Sequence, residues 1–229
     1  MNNEDLESLA YRIGNINNAQ FNNVYPILEA ELPALRLQFV HNSIAKSGTS
    51  LSLRKTPITA RINAASMKED DYCSEECLNF LIAMIKAKMN SVICGLTGSG
   101  KTELAKYLAG HINRWERIIT IEDTLELHLL TIYPNKDVVE LQVNNIVDYD
   151  GAIKSCMRMK PTWILLSEAR GYEVKELIKS ISTGARIITT IHTGDARDIP
   201  KRLLNMFEDN ELSNDKVETM IYDYIDVGI

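Results

Sequence analysis

The segment Gly95-Leu96-Thr97-Gly98-Ser99-Gly100-Lys101-Thr102 restricts the fold of this chain more than any other. A glycine, four residues, a second glycine, a lysine and a threonine follow one another, which is the spacing of loops that bind nucleotide phosphates. The apolar run 92–94 precedes this segment, and a helical pattern of apolar residues follows it. A buried strand, a glycine-rich turn and a helix start together surround an anion with backbone N–H groups and positive potential. The segment therefore predicts a nucleotide-binding α/β domain.

The residues of this loop have distinct expected roles. Lys101 is expected to reach the β- and γ-phosphates of ATP, and the Thr102 hydroxyl is expected to ligate Mg²⁺. The other expected phosphate-binding positions act chiefly through backbone N–H groups, and they are Gly95, Thr97, Gly98, Ser99 and Gly100.

Charge and hydropathy exclude some classes of protein. The chain has 229 residues and a formal net charge of −6, and the excess of acidic residues lies after residue 60. A general nucleic-acid binder carries a basic face instead, so we expect no direct nucleic-acid partner. No apolar stretch approaches the roughly 20 residues that span a bilayer, and the first residues are polar and acidic. We therefore expect a cytoplasmic protein without a signal peptide.

The pattern along the chain predicts three parts. A helix over 4–20 and short alternating segments at 27–30, 35–40 and 50–54 predict a partial α+β domain over 1–57. Residues 58–72 are predicted to be a linker because they follow Pro57 and include the charged run Lys68-Glu69-Asp70-Asp71. The remainder, 73–229, is predicted to be the P-loop domain.

Within 73–229, short apolar segments alternate with helical patterns. The strands are predicted at 92–94, 118–121, 138–141, 163–166 and 187–191, and helices are predicted to begin near Thr102, Asp150, Tyr172, Asp195 and Ser213. Such alternation predicts a mainly parallel sheet with helices on both faces. Ligands of such sheets bind at the carboxyl ends of the strands.

Three of the predicted strands end in residues that can work on phosphates. Glu122 follows 118–121, where a carboxylate can orient water or hold the water shell of Mg²⁺, although a solvated acidic loop is an equal alternative. Glu168 follows the apolar strand 163–166, the usual second half of a P-loop site. His192 follows 187–191 and could donate a hydrogen bond to a γ-phosphate. Arg36 and Arg54, taken alone, are expected to be solvated residues.

Five motifs in a fixed order add a family resemblance. The phosphate loop is followed by Ile-Thr-Ile-Glu-Asp-Thr-Leu-Glu-Leu, Met-Arg-Met-Lys-Pro, Ser-Glu-Ala-Arg-Gly and Thr-Ile-His-Thr. Over about residues 30–225 this order resembles the type II/type IV secretion ATPase superfamily of conjugative secretion, type II secretion, and type IV and Tad pilus motors. The resemblance implies a RecA-like core, ATP hydrolysis and a homo-hexameric ring. It also implies an inner-membrane platform partner, which would hold the protein at the inner face of the cell membrane.

The resemblance also assigns roles residue by residue. It implies that Glu122 or Glu168 positions the attacking water, and which of the two is the base stays open. Thr102 and Glu168 are implied to hold Mg²⁺, partly through water. The remaining implied site residues are the phosphate-sensing His192, the phosphate-approaching pair Arg36 and Arg54, and the nucleotide-binding Arg170.

Two departures from the family pattern keep alternatives open. Ser167 stands where the family usually has glycine, and Lys160 replaces an arginine, exchanging a bidentate fork for a point charge. The main prediction is ATP hydrolysis that drives protein secretion or pilus assembly or retraction. The alternatives are a RecA-type nucleic-acid motor and an ATP-binding scaffold with little turnover.

Overall fold

The computed structural model describes residues 3–171, 173–207 and 213–229. By internal contacts the chain divides into two compact units, Met1–Pro57 and Ile58–Ile229.

The first unit packs one helix against a three-stranded antiparallel sheet of order β1-β2-β3. Its elements are α1 (Asn3–Ile16), β1 (Ile27–Leu32), β2 (Leu35–Val40) and β3 (Ser50–Lys55). Alternate residues of β1 and β2 are buried and form a core with Ala10 and Ile13 of α1. The helix ends earlier than predicted because Asn18 takes a left-handed conformation with φ of 53°, and the Ala19 N–H bonds back to the Gly14 carbonyl.

The second unit is a doubly covered parallel sheet, which confirms the predicted fold class. Its helices are α2 (Ala64–Glu69), α3 (Glu75–Lys86), α4 (Lys101–Gly110), α5 (Leu129–Ile132), α6 (Tyr149–Cys156), α7 (Glu173–Ser182), α8 (Ile199–Met206) and α9 (Asn214–Tyr224). Its strands are β4 (Ser91–Cys94), β5 (Ile118–Glu122), β6 (Val138–Gln142), β7 (Trp163–Leu166), β8 (Arg186–Ile191) and β9 (Val227–Gly228). They lie in the order β6-β5-β7-β8-β4-β9, and each pair is parallel.

Both faces of this sheet are buried, as parallel sheets require. Ile119 and Ile121 of β5 lie in a core with α6, α7, α8 and α9. Ile118 and Trp163 point to the opposite face and lie in a second core with α3 and α4. The five predicted strands therefore appear within one residue of their expected ends, because buried parallel strands are continuous apolar runs.

One helix start differs from expectation, and another lies beside a residue that the structure does not describe. The helix predicted near Tyr172 is described from Glu173 onward, and Tyr172 itself lies outside the described residues. The helix predicted near Asp195 is preceded by a 3₁₀ turn at Ala196–Asp198, so α8 begins at Ile199 with Pro200 in its first turn.

The segment predicted as a linker, 58–72, contains α2 in this structure. Met67 on α2 is 1% exposed and packs in the core of the second unit. The helix is favoured locally because Asn63 and Ser66 form a reciprocal capping box at its start. The division into a domain, a linker and a P-loop domain stays a prediction. None of the helices in the described parts of the chain is both long enough and apolar enough to cross a bilayer.

Candidate nucleotide site

The loop between β4 and α4 has a backbone that only glycines adopt easily. Gly98 and Gly100 have φ of 80° and 91°, in the left-handed region. An added Cβ at either glycine meets nothing within 4 Å, so backbone conformation, rather than crowding, selects glycine there. Gly100 is also the N-cap of α4, and its cap position carries no side-chain hydrogen bond within the described chain. This geometry fits a bound phosphate, because the first N–H groups of the helix are left to an anion.

Lys101 lies inside this loop. Its Nζ donates hydrogen bonds to the carbonyls of Gly95 at 2.8 Å and Leu96 at 3.0 Å. The same ammonium lies 3.3 Å from Nδ1 of His192, at the end of β8. Partial burial lowers the pKa of Lys101, and the negative charge of Glu168 opposes that shift. The lysine therefore contacts one of the predicted strand-end residues, His192, and is close enough to a second, Glu168, to feel its charge.

Glu168 is held from two sides. Its Oε1 lies 3.1 Å from Nε2 of His192, and its Oε2 lies 2.8 Å from Nη2 of Arg170. When Nε2 of His192 carries the proton and donates to Glu168, Nδ1 is free to accept from Lys101. A continuous polar chain then runs from the phosphate loop to the end of β7.

Arg170 extends this chain to the end of β5. Its Nη1 lies 2.6 Å from Oδ2 of Asp123, so one guanidinium bridges two carboxylates. These contacts raise the pKa of Arg170, first through its hydrogen bond with Glu168. Arg170 was predicted to bind nucleotide, and in this structure it contacts the carboxylates of two neighbouring strand ends.

Thr102 faces a carboxylate that the sequence interpretation did not select. Its Oγ1 lies 3.5 Å from Oε2 of Glu126, in the loop that follows β5. Glu126 belongs to the same acidic motif as Glu122, so the motif itself was the available signal. Beyond the strand end, side-chain alternation stops, and the sequence alone does not say which carboxylate turns toward the phosphate loop.

Glu122 lies in the core. It is 0% exposed, and its Oε2 accepts hydrogen bonds from the N–H groups of Glu126 at 2.9 Å and Leu127 at 3.0 Å. Burial, with a smaller contribution from the nearby charge of Glu140, raises the pKa of Glu122 to about 7. Within the described residues Glu122 makes no hydrogen bond to the phosphate loop. Its assignment as the base stays a prediction, and the geometry favours Glu126.

Arg36 and Arg54 form a pair in the first unit. They are directly opposite each other on β2 and β3, with their side chains on the face away from α1. Arg36 also lies 3.9 Å from Oε2 of Glu29. Like charges directly opposite on a sheet are destabilising, and an anion shared by both guanidinium groups removes that cost. The pair Arg36 and Arg54 is therefore suited to binding a phosphate group.

Thr102 and Glu168 supply oxygen ligands of the kind that Mg²⁺ prefers. Magnesium in nucleotide sites keeps several waters and takes one or two protein oxygens together with the phosphates. A hydroxyl in the first turn of α4 and a carboxylate at the end of β7 match this requirement. These two residues therefore fit the ion.

A parallel sheet with a glycine loop between β4 and α4 defines a P-loop protein with a RecA-like core. The chain belongs to the type II/IV secretion system protein family, whose model it matches over residues 28–222.

Curated relatives cover most of this chain. It is 30% identical over 239 residues to the type IV secretion system protein VirB11 of Brucella suis, spanning 89% of this chain and 66% of that protein. It is 29% identical to an uncharacterized protein of Bacillus anthracis, spanning 88% of this chain and 44% of that protein. A putative conjugal transfer protein of Mycobacterium tuberculosis is also 29% identical, with 49% of its length covered. The chain thus spans about half to two thirds of these relatives.

Solved structures share the fold. The VirB11 ATPase of Brucella suis, in complex with sulphate, superposes with a TM-score of 0.61 at 27% identity, covering 99% of this chain and 74% of that one. The pilus retraction motor PilT with bound ADP has a TM-score of 0.65 at 22% identity, covering 87% and 56% of the two chains. The second likeness concerns the fold alone.

Proposed function

We propose that this protein hydrolyses ATP and drives a secretion or pilus machine. The observation that carries the proposal is the direct chain of contacts from Lys101 in the phosphate loop through His192 to Glu168. A glycine loop alone binds phosphate, whereas a loop joined to a strand-end carboxylate and a histidine has groups that can respond to the γ-phosphate. Membership of the type II/IV secretion system protein family supports the same activity.

Each residue of the candidate nucleotide site has a proposed role in this reaction. Lys101 and the loop amides hold the phosphates, and Thr102 and Glu168 hold Mg²⁺, partly through water. The ion, when bound, neutralises charge on the β- and γ-phosphates. Water attacks the γ-phosphorus, the bond from that phosphorus to the β–γ bridging oxygen breaks, and ADP leaves. The proton of the water passes to a carboxylate, for which the family resemblance gives two candidates, Glu122 and Glu168. Glu126, which faces Thr102, is a third candidate and the better placed.

His192, Arg36 and Arg54 are proposed to sense the γ-phosphate. Hydrolysis removes the γ-phosphate, whose negative charge a guanidinium or imidazole group can bind. The loss of such a contact is a common trigger of conformational change. We further propose a homo-hexamer that works on an inner-membrane platform protein at the cytoplasmic face. The relatives named as VirB11 secretion proteins support this setting.

Phosphate release by the purified chain, with and without Mg²⁺, tests the activity. Lys101→Ala and Glu168→Gln are each expected to lower turnover at least about 100-fold, since the first removes the cation that holds the phosphates and the second removes the carboxylate proposed to hold Mg²⁺. Lys201→Ala is the matched control, because Lys201 is an exposed lysine on α8. An inactive wild type that still binds ATP supports the scaffold alternative. Turnover that depends on added DNA, lost at high salt, supports the nucleic-acid motor.

A further inference from the structure

The buried carboxyl group at the end of β5 controls the backbone of the loop that follows it. Oε2 of Glu122 accepts two hydrogen bonds, from the N–H groups of Glu126 and Leu127, at 2.9 and 3.0 Å. Two bonds to consecutive amides fix the direction of the chain at this point. Leu127 is itself 1% exposed and packs in the core with α4, so the end of the loop has little freedom.

The start of the same loop is fixed separately. The Asp123 N–H donates to the Tyr149 hydroxyl at 3.1 Å, and the Asp123 carbonyl accepts from Gln142 at 3.2 Å. Glu122 is therefore the side chain that holds the far end, where Glu126 approaches Thr102 to 3.5 Å. The position of Glu126, the carboxylate proposed to accept the proton from water, therefore depends on the buried Glu122.

The second oxygen of Glu122 lies beside the hydroxyl of Thr120. Oε1 of Glu122 and Oγ1 of Thr120 are both buried, and neither has a hydrogen-bond partner among the described residues. The two residues are two apart on β5, so their side chains lie on the same face. The Thr120 hydroxyl is near enough to lower the pKa of the carboxyl, yet no hydrogen bond of ordinary geometry joins the two atoms.

A neutral Glu122 keeps Oε2 as the acceptor for the two loop amides and offers Oε1 as a donor toward Thr120. An ionised Glu122 would lie beside Glu140 of neighbouring β6, which carries the same charge. Burial also disfavours the ionised form.

We propose that Glu122 is a positioning residue, which in its neutral form holds the 123–127 loop so that Glu126 faces Thr102. The proposal rests on the proposed ATP hydrolysis. A neutral carboxyl cannot take a proton from water, so Glu122 acts through the loop rather than on the substrate. The positioning role requires an oxygen that accepts hydrogen bonds from the two loop amides and a donor group directed at Thr120. A glutamine side chain has both groups.

Steady-state ATP hydrolysis by the whole chain at pH 6, below the pKa of about 7 of Glu122, separates positioning from base catalysis. Glu122→Gln is expected to keep kcat within about threefold of wild type, because the amide reproduces every hydrogen bond. Glu122→Ala is expected to lower kcat at least about 10-fold with KM for ATP within about twofold, since a displaced group costs rate. Glu126→Gln is expected to lose at least about 100-fold, the usual worth of a general base. Loss in Glu122→Gln equal to that in Glu126→Gln overturns the proposal.

Hydrogen–deuterium exchange provides a readout that does not need turnover. The amides of residues 126 and 127 are expected to be as protected in Glu122→Gln as in wild type, and at least about 10-fold less protected in Glu122→Ala. Equal protection in all three proteins overturns the positioning role. If Glu122→Ala does not fold, the Gln variant decides alone: retained protection and rate support the proposal, and loss of either overturns it. A wild type that protects these amides yet releases no phosphate contradicts the proposed ATPase and leaves the loop contact intact.

Discussion

The buried carboxyl group of Glu122, whose pKa is raised, makes the free energy of unfolding depend on pH. Burial raises the pKa of Glu122 from 4.5 to about 7. Between these values the unfolded chain releases the proton while the folded chain keeps it, so the contribution of Glu122 to stability falls as pH rises from 4.5 to 7 and stays low above that. The size follows from 1.36 kcal/mol per pKa unit and is about 3 kcal/mol.

Glu122→Gln is expected to remove this dependence. Because the amide does not titrate, the free energy of unfolding of the variant, relative to wild type, should rise by about 3 kcal/mol between pH 4.5 and pH 8. Urea unfolding of both proteins across that range measures it. A difference that stays constant with pH shows that the Glu122 carboxyl titrates alike in the folded and unfolded chains.

Arg170 joins two strand ends through one side chain, because its fork reaches Glu168 and Asp123 together. Arg170→Gln is expected to lower ATP turnover about 10-fold, since Glu168 loses one of its two partners. Arg170→Lys should be closer to Gln than to wild type, because a point charge cannot bridge two carboxylates in the same geometry. Arg197→Gln is the control: Arg197 is 90% exposed and pairs with Asp195, and its loss should leave phosphate release unchanged.

At the scale of elements, helix α3 depends on the N-cap residue that precedes it, Ser74. The Ser74 hydroxyl accepts a hydrogen bond from the Cys77 N–H at 3.1 Å, and such caps contribute about 1 kcal/mol. Ser74→Ala should lower the free energy of unfolding by that amount, measured in urea.

Ser213 provides the control for this prediction. It precedes α9 in the same backbone conformation but makes no capping hydrogen bond to the described residues. Ser213→Ala should therefore cost less than about 0.3 kcal/mol, and equal losses in the two variants would contradict the assignment.

Five strands of the second unit, β4 to β8, could be predicted from the sequence because each is a largely apolar run between turn residues, whereas the two-residue β9 (Val227–Gly228) carries no such signal. The order of the strands could not, because it depends on pairings such as β4 with β9, which are more than 130 residues apart. The same limit applies to the site. Lys101, Glu168 and His192 follow from strand ends, whereas the turn of Glu126 toward Thr102 depends on a loop held by the buried Glu122.

At the scale of the whole molecule, the two units carry different parts of the proposed chemistry. The phosphate loop, Glu168 and His192 belong to the second unit, and Arg36 and Arg54 belong to the first. The match to the secretion family begins at residue 28 and includes both arginines. The proposed motor therefore needs the first unit for turnover, while the second unit already contains the proposed groups for phosphate binding.

Replacing the paired arginines in the full chain tests this division. Arg36→Ala with Arg54→Ala is expected to lower kcat at least about 100-fold, in the lower range for arginines that stabilise phosphoryl transfer. ATP binding should change much less, because the phosphate loop is intact. Since the two residues are opposite each other on adjacent strands and are proposed to share one anion, each single variant should lose nearly as much as the double one. Arg12→Ala, an exposed arginine on α1, controls for loss of charge. Phosphate release and a fluorescent-nucleotide titration measure the two effects, and a double variant as fast as Arg12→Ala would remove the first unit from the proposed reaction.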